Sequence, residues 1–132
     1  MTEEIPTSGL TILGSTVQHA VEHVECFPAP AGVTTVRFET GEVSSICPVT
    51  NQPDISHLVL EYRPNQHCIE SKSLKLYLWG FRDRPVFAEA LAAEIAREVM
   101  DQAMPLWVRA TIRQQPRGGI TLEAASELGS PG

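Results

Sequence analysis

A chain of 132 residues with a formal net charge of −6 is sized for one hydrophobic core and carries no basic excess. That balance argues against direct nucleic-acid binding, which needs a cationic face to displace counterions from phosphates; an anionic ligand has to be met by a local cluster of cations. No apolar run reaches the roughly 18 residues of a membrane helix. The opening Met1-Thr2-Glu3-Glu4-Ile5-Pro6 lacks the basic and apolar regions of a secretory signal, so a cytoplasmic protein without a membrane partner is expected.

Residues 1–9 are polar and turn-rich and are expected to pack loosely. Thr16 to Phe27 is ambiguous: Val17, Val21 and Val24 suit a short helix that their β-branching weakens. Val33 to Glu39 and Leu58 to Tyr62 read as strands, the second mostly buried. Leu74, Leu76 and Leu78 alternate with Lys75, Tyr77 and Trp79. This predicts a further strand with its leucines in the core and Lys75 and Tyr77 beside Ser73 on the other face. The period then changes. Phe87, Leu91, Ile95 and Val99 fall four apart and predict a helix over 86–104, with Asp83 and Pro85 at its start and Pro105 as its stop. Leu106 to Thr111 reads as a returning strand, Pro116-Arg117-Gly118-Gly119 as a turn and Ile120-Thr121-Leu122 as a short edge; Ala124 to Gly132 is small, polar and expected to be loose. The expectation is one α+β domain over 1–132.

Cys26, Cys47 and Cys68 stand 21 residues apart, an odd count with no C-x-x-C pair, so reduced thiols are expected rather than disulfides. No metal site is expected, and His19 and His23 are read as surface residues. Cys47 lies in a segment dense with turn formers that ends at Asp54, where a thiol can be exposed and act as a nucleophile; its plain alternative is a small buried hydrophobe, the reading given to Cys26 and Cys68. Asp54 can serve as a general acid or simply as a turn residue. Ser71, Lys72, Ser73 and Lys75, with Arg117 in its Gly-rich turn, offer donors and charges suited to phosphate, or else form a solvated face. Glu70 and Glu89 can each accept two N–H bonds from a purine-like ring, although Glu89 also suits the start of a helix dipole.

Together, Ser45-Ile46-Cys47-Pro48 through Gln52-Pro53-Asp54, Glu70-Ser71-Lys72-Ser73-Leu74-Lys75-Leu76-Tyr77, Phe81-Arg82, Phe87 with Glu89, and Pro116-Arg117-Gly118-Gly119-Ile120 resemble the unimodular QueF family over roughly residues 10–122. Members of this family are NADPH-dependent 7-cyano-7-deazaguanine (preQ0) reductases of queuosine biosynthesis, a tRNA modification. The resemblance implies a tunnelling fold, in which antiparallel sheets backed by helices close into a multi-subunit barrel with active sites between subunits of a homo-oligomer. It implies a small-molecule deazapurine substrate and NADPH as cofactor. Cys47 would form a thioimide with the nitrile and Asp54 would protonate it. Glu70 and Glu89 would hold the deazaguanine, with Ser71, Lys72, Ser73, Lys75, Arg117 and Gly118 near the cofactor. The chain departs from the family at one place: a histidine usually precedes the substrate glutamate, but here the motif is Phe87-Ala88-Glu89. Alanine provides neither a proton nor a hydrogen bond, which leaves His57 and His67 as possible sources of an imidazole. Two rival readings are an amidine-forming QueF-like enzyme and a non-catalytic deazapurine-binding paralogue. Retention of Glu70 to Tyr77 argues against the first, and retention of Cys47 with Asp54 against the second.

Overall fold

The computed structural model of the protein describes residues 10–12 and 16–132. The segment 1–9, expected to pack loosely, lies outside the described residues. The elements run β1 (Cys26–Pro28), β2 (Val36–Ile46), β3 (Pro53–Arg63), β4 (His67–Ile69), α1 (Ser71–Trp79), α2 (Ala88–Ala103), β5 (Trp107–Gln114) and β6 (Glu123–Gly129). Four strands form an antiparallel sheet in the order β2-β3-β5-β6, while β1 and β4 pair as a separate two-stranded ribbon. Helix α2 packs across β5 and β6.

The alternation of β3 defines the core face: Asp54, Ser56, Leu58, Leu60 and Tyr62 point inward, and Val108, Ala110 and Ile112 of β5 continue the same surface. Helix α2 meets it with Leu91, Ile95 and Val99, while Ala88, Ala92, Ala96 and Ala103 fill further buried positions beside Glu98. Small residues there let the helix axis approach the sheet closely. Truncating Leu91, which is fully buried, would cost about 2–5 kcal/mol. The helix stops at Met104, which adopts a left-handed conformation and donates its N–H to the Met100 carbonyl at 3.1 Å just before Pro105.

Strand β2 carries an irregularity that sets its inward face. Thr40 pairs with Leu58 but Val43 pairs with Ser56, so β2 has one extra residue at Gly41-Glu42. Before this bulge the inward positions are Val36, Phe38 and Thr40; after it they are Val43 and Ser45.

Three expectations are corrected and one ambiguous segment is resolved. The short edge expected over Ile120-Thr121-Leu122 is no strand but the stretch ahead of β6, where Ile120 only bridges Arg117. The strand expected over Leu74 to Trp79 is helix α1. Glu70 caps its N-terminus, its carboxylate accepting from the N–H groups of Lys72 and Ser73, both at 2.8 Å. Leu74, Tyr77, Leu78 and Phe81 then share one helical side, with the Tyr77 and Phe81 rings edge to face at 5.4 Å. Ala124 to Gly132, expected to be loose, supplies most of β6, paired with β5 from Glu123↔Arg113 to Gly129↔Trp107. Gly129 is required there: its φ is +79°, and a Cβ would run into the Leu106 carbonyl. Thr16 to Phe27 forms no helix among its described residues and ends in β1.

Candidate active site

The β2–β3 connection is a tight turn, closed by Cys47 N–H donating to the Gln52 carbonyl at 2.8 Å and Asn51 N–H donating to the Cys47 carbonyl at 2.9 Å. Asn51 adopts φ 61°, a left-handed conformation that its short polar side chain tolerates. The turn leaves Cys47 partly exposed and directs donors at its sulfur. The Thr50 hydroxyl, then the Thr50 and Val49 N–H groups, hold the thiol below its ordinary pKa; partial burial and the Asp54 carboxylate oppose them.

The segment leading into α2 lies along the open edge of β2 at this point. Ile46 N–H donates to the Arg84 carbonyl at 2.9 Å, and Val86 N–H donates to the Ile46 carbonyl at 3.1 Å. This short parallel pairing of Ile46 with Pro85 sets the start of α2 beside the residue that precedes Cys47. Glu89, in the first turn of α2, is exposed, and the Phe87 ring is more than half exposed. Ala88 turns the other way into the core at 1% exposure, so an imidazole on that backbone position would have to displace core atoms. The two other histidines named above lie on different strands. His57 points to the opposite face of β3 from Asp54 and pairs with Glu39 at 2.6 Å, and His67 belongs to β4.

Asp54 is buried on the core face of β3, opposite Ser45 of β2. Arg117 reaches it from the β5–β6 turn: its Nη2 ion-pairs with Asp54 Oδ1 and donates to the Pro53 carbonyl at 2.8 Å. That turn is closed by reciprocal bonds between Arg117 and Ile120 at 3.0 and 2.9 Å, with Gly118 and Gly119 at positive φ.

The expected phosphate-binding residues divide. Ser71 and Lys75, one turn apart on the exposed side of α1, line a cavity of about 700 Å³ together with Phe38, Thr40 and Trp79. Ser73 is fully buried instead: its hydroxyl donates to the Glu70 carbonyl and accepts from Glu25 N–H, both at 2.8 Å. Lys72 Nζ donates to the Ile12 carbonyl at 3.3 Å. Both Glu70 oxygens hold the α1 cap. The structure therefore clusters Cys47, Asp54, Arg117 and the Glu89 end of α2, and places Ser71 and Lys75 on the neighbouring groove. Sequence reasoning missed Thr50; its signal was a hydroxyl three residues after a cysteine inside a turn. Among the described residues no group of His, Cys, Asp and Glu side chains is arranged to hold a metal ion, and no helix is long and apolar enough to cross a membrane.

A family model described as QueF-like protein matches residues 53–131. The chain is 41% identical over 131 residues to the NADPH-dependent 7-cyano-7-deazaguanine reductase of Granulibacter bethesdensis, covering 94% of this chain and 85% of that one. It is 42% identical over 130 residues to the reductase of the same name from Sinorhizobium medicae, covering 94% and 84%. Among solved structures, the apo crystal structure of the archaeosine synthase QueF-Like superposes with a TM-score of 0.69 at 25% identity, covering 74% of this chain and 95% of that one.

Proposed function

Because the chain belongs to the QueF-like family, we propose that it reduces the nitrile of 7-cyano-7-deazaguanine to an aminomethyl group with NADPH, within an α+β tunnelling fold. The observation that carries this reading is the Cys47 turn: a partly exposed thiol, held below its ordinary pKa by turn donors, next to a buried carboxyl and a helix start with an exposed glutamate.

Nitrile reduction to an amine takes two hydrides and two protons. Cys47 attacks the nitrile carbon; a C–S bond forms, one C–N π bond breaks, and Asp54 gives its proton to the nitrogen to leave a thioimide. NADPH, when bound, supplies the hydrides. Between the two reductions Cys47 departs as thiolate, its C–S electrons staying on sulfur while the nitrogen lone pair restores a C=N bond. The donors around the sulfur that favour thiolate for attack also favour it as leaving group. Glu89 is placed to accept ring N–H bonds from the substrate. Glu70 would do so with the acceptor sites that its two α1 cap bonds leave over.

The groove fits a phosphorylated cofactor through the Ser71 hydroxyl and the Lys75 ammonium. Glu39 and Glu42 on the opposite wall leave the Lys75 side as the one suited to phosphate. Lys72, Arg117 and the open backbone at Gly118 would complete the set, Arg117 after exchanging part of its Asp54 contact. Strands β2 and β6 are the outer strands of the sheet, so pairing between copies there would build a homo-oligomer with sites between subunits. A step consuming NADPH in tRNA-base synthesis belongs in the cytoplasm.

The test is to incubate the protein with 7-cyano-7-deazaguanine alone and measure intact mass. One adduct per chain is expected, absent in Cys47→Ala and formed roughly 10²-fold more slowly in Asp54→Asn. Added NADPH should then yield the amine, with two cofactors oxidised per product. An adduct that survives in Cys47→Ala would remove the mechanism, and an amidine formed from ammonia without NADPH would favour the synthase reading.

A further inference from the structure

We propose that Ser45 and Ser56 are positioning residues for Asp54, their hydroxyls holding its carboxyl in the orientation from which it transfers a proton. The proposal rests on the reading of Asp54 as the acid. Ser45 is the cross-strand partner of Asp54, and Ser56 is the next inward residue on β3, opposite Val43. Both are 1% exposed, and neither hydroxyl has a hydrogen-bond partner.

Leaving a buried hydroxyl unpaired costs about 1–3 kcal/mol. Here two such groups flank one buried carboxyl, on a face that continues as Leu58, Leu60 and Tyr62. Alanine at either position would cover the same core without that cost. The chemistry of the acid explains why hydroxyls suit the place. Asp54 must alternate between a carboxyl that donates and a carboxylate that only accepts. Arg117 has donors only and cannot accept the O–H of the protonated acid, whereas a serine hydroxyl both donates and accepts and can serve either form. Directly opposite residues in an antiparallel pair have Cβ atoms about 4.5–5.5 Å apart, so a rotamer change at Ser45 brings its Oγ to the carboxyl. Ser56 lies one inward position along the same strand face. The charged or titrating groups that face Asp54 are Arg117 from the β5–β6 turn and Cys47 from the β2–β3 turn. The serines add no charge to that set, and their effect is on orientation and hydrogen bonding.

The test compares Ser45→Ala, Ser56→Ala and the double variant with Ser45→Thr and Ser56→Thr, which keep the hydroxyl. The NMR signal of the Asp54 carboxyl carbon in the ligand-free protein reads the contact without any reaction. The double alanine variant should displace that signal, and the threonine variants should return it toward wild type. With 7-cyano-7-deazaguanine, adduct formation should slow roughly tenfold in the double alanine variant while substrate Kd changes less than about twofold. Melting temperature should hold or rise, since alanine removes an unsatisfied group. A folded double alanine variant with a wild-type Asp54 carboxyl signal and adduct rate overturns the proposal. If the signal responds but wild type itself forms no adduct, the catalytic reading fails and the positioning of Asp54 stands.

Discussion

The β2–β3 turn and the β1–β4 ribbon both carry cysteine, and they treat the sulfur in opposite ways. In the turn, Thr50 and Val49 direct an O–H and two N–H groups at Cys47 and draw its pKa down. In the ribbon β1 pairs with β4, and the Ile69 N–H donates to the Tyr62 hydroxyl. Burial, followed by the negative charge of Cys68, Glu98 and Glu25, pushes Cys26 up to about 11, and burial also raises Cys68. What separates the lowered thiol from the raised ones is therefore a hydroxyl and turn N–H groups aimed at one sulfur, against burial at the other two. Their even spacing along the chain carries no such information.

The largest effect expected from this contrast is in alkylation. An ordinary thiol near 9 and one at about 11 differ about a hundredfold in thiolate at any pH below both, and Cys47 lies below the ordinary value. Because a lower-pKa thiolate is also a weaker nucleophile, brief iodoacetamide treatment at pH 7.5 followed by peptide mapping should label Cys47 at least about tenfold faster than Cys26. Comparable labelling of the two would break the comparison.

How much of this was legible in the sequence depends on how far apart the deciding residues lie. Helix α2 announced itself because Leu91, Ile95 and Val99 repeat at a helical period over more than two turns, longer than any competing pattern. The Leu74 to Leu78 run was too short to decide, since it satisfies a period of two while Leu74, Leu78 and Phe81 satisfy the helical one. Recognising Glu70 as a side-chain cap would have settled it. Strand β6 is polar and alanine-rich, and it is a strand through its pairing with β5, which no local pattern reports. At the site, Cys47, Asp54 and Glu89 were identifiable from their motif. The Arg117 pairing to Asp54 was hidden because it joins two distant turns, and Ser45 and Ser56 because serine on a strand is ordinarily unremarked.

A sharper probe of the turn is Thr50→Ala, which deletes the first-ranked donor to Cys47 while leaving the backbone N–H groups in place. The alkylation midpoint should move up, and the rate at pH 7.5 should fall roughly three- to tenfold, narrowing the gap to Cys26 without closing it. An unchanged midpoint would assign the depressed pKa to the backbone alone.

The smallest effect concerns the residues leading into the ribbon, which α2 anchors through Glu98: its carboxylate accepts from Val24 N–H at 2.9 Å and lies 3.0 Å from His23 Nδ1. The hydrogen bond to Glu98, then its charge, raises the pKa of His23 above its ordinary 6.5. Because the folded value is the higher one, the stabilisation is full below about pH 6.5 and is lost as the pH rises through the raised value. Solvent exposure of the imidazole keeps it small. Melting temperature should decline slightly between pH 5.5 and 8 in wild type and less in His23→Gln; an equal slope in both would remove the pair from the account.

The extra residue of β2 at Gly41-Glu42 has a consequence for how this gene can vary. Side chains on a strand change face with every position, so a single-codon deletion at that point would leave the hairpin pairable but out of phase. Either Val36 and Phe38 would turn to solvent, or Val43 and Ser45 would, and with the latter the approach to Cys47. A lineage can lengthen or shorten many surface loops freely. At this surface position the count of residues is itself inherited information, as binding on descendants as the identity of the cysteine five residues beyond it.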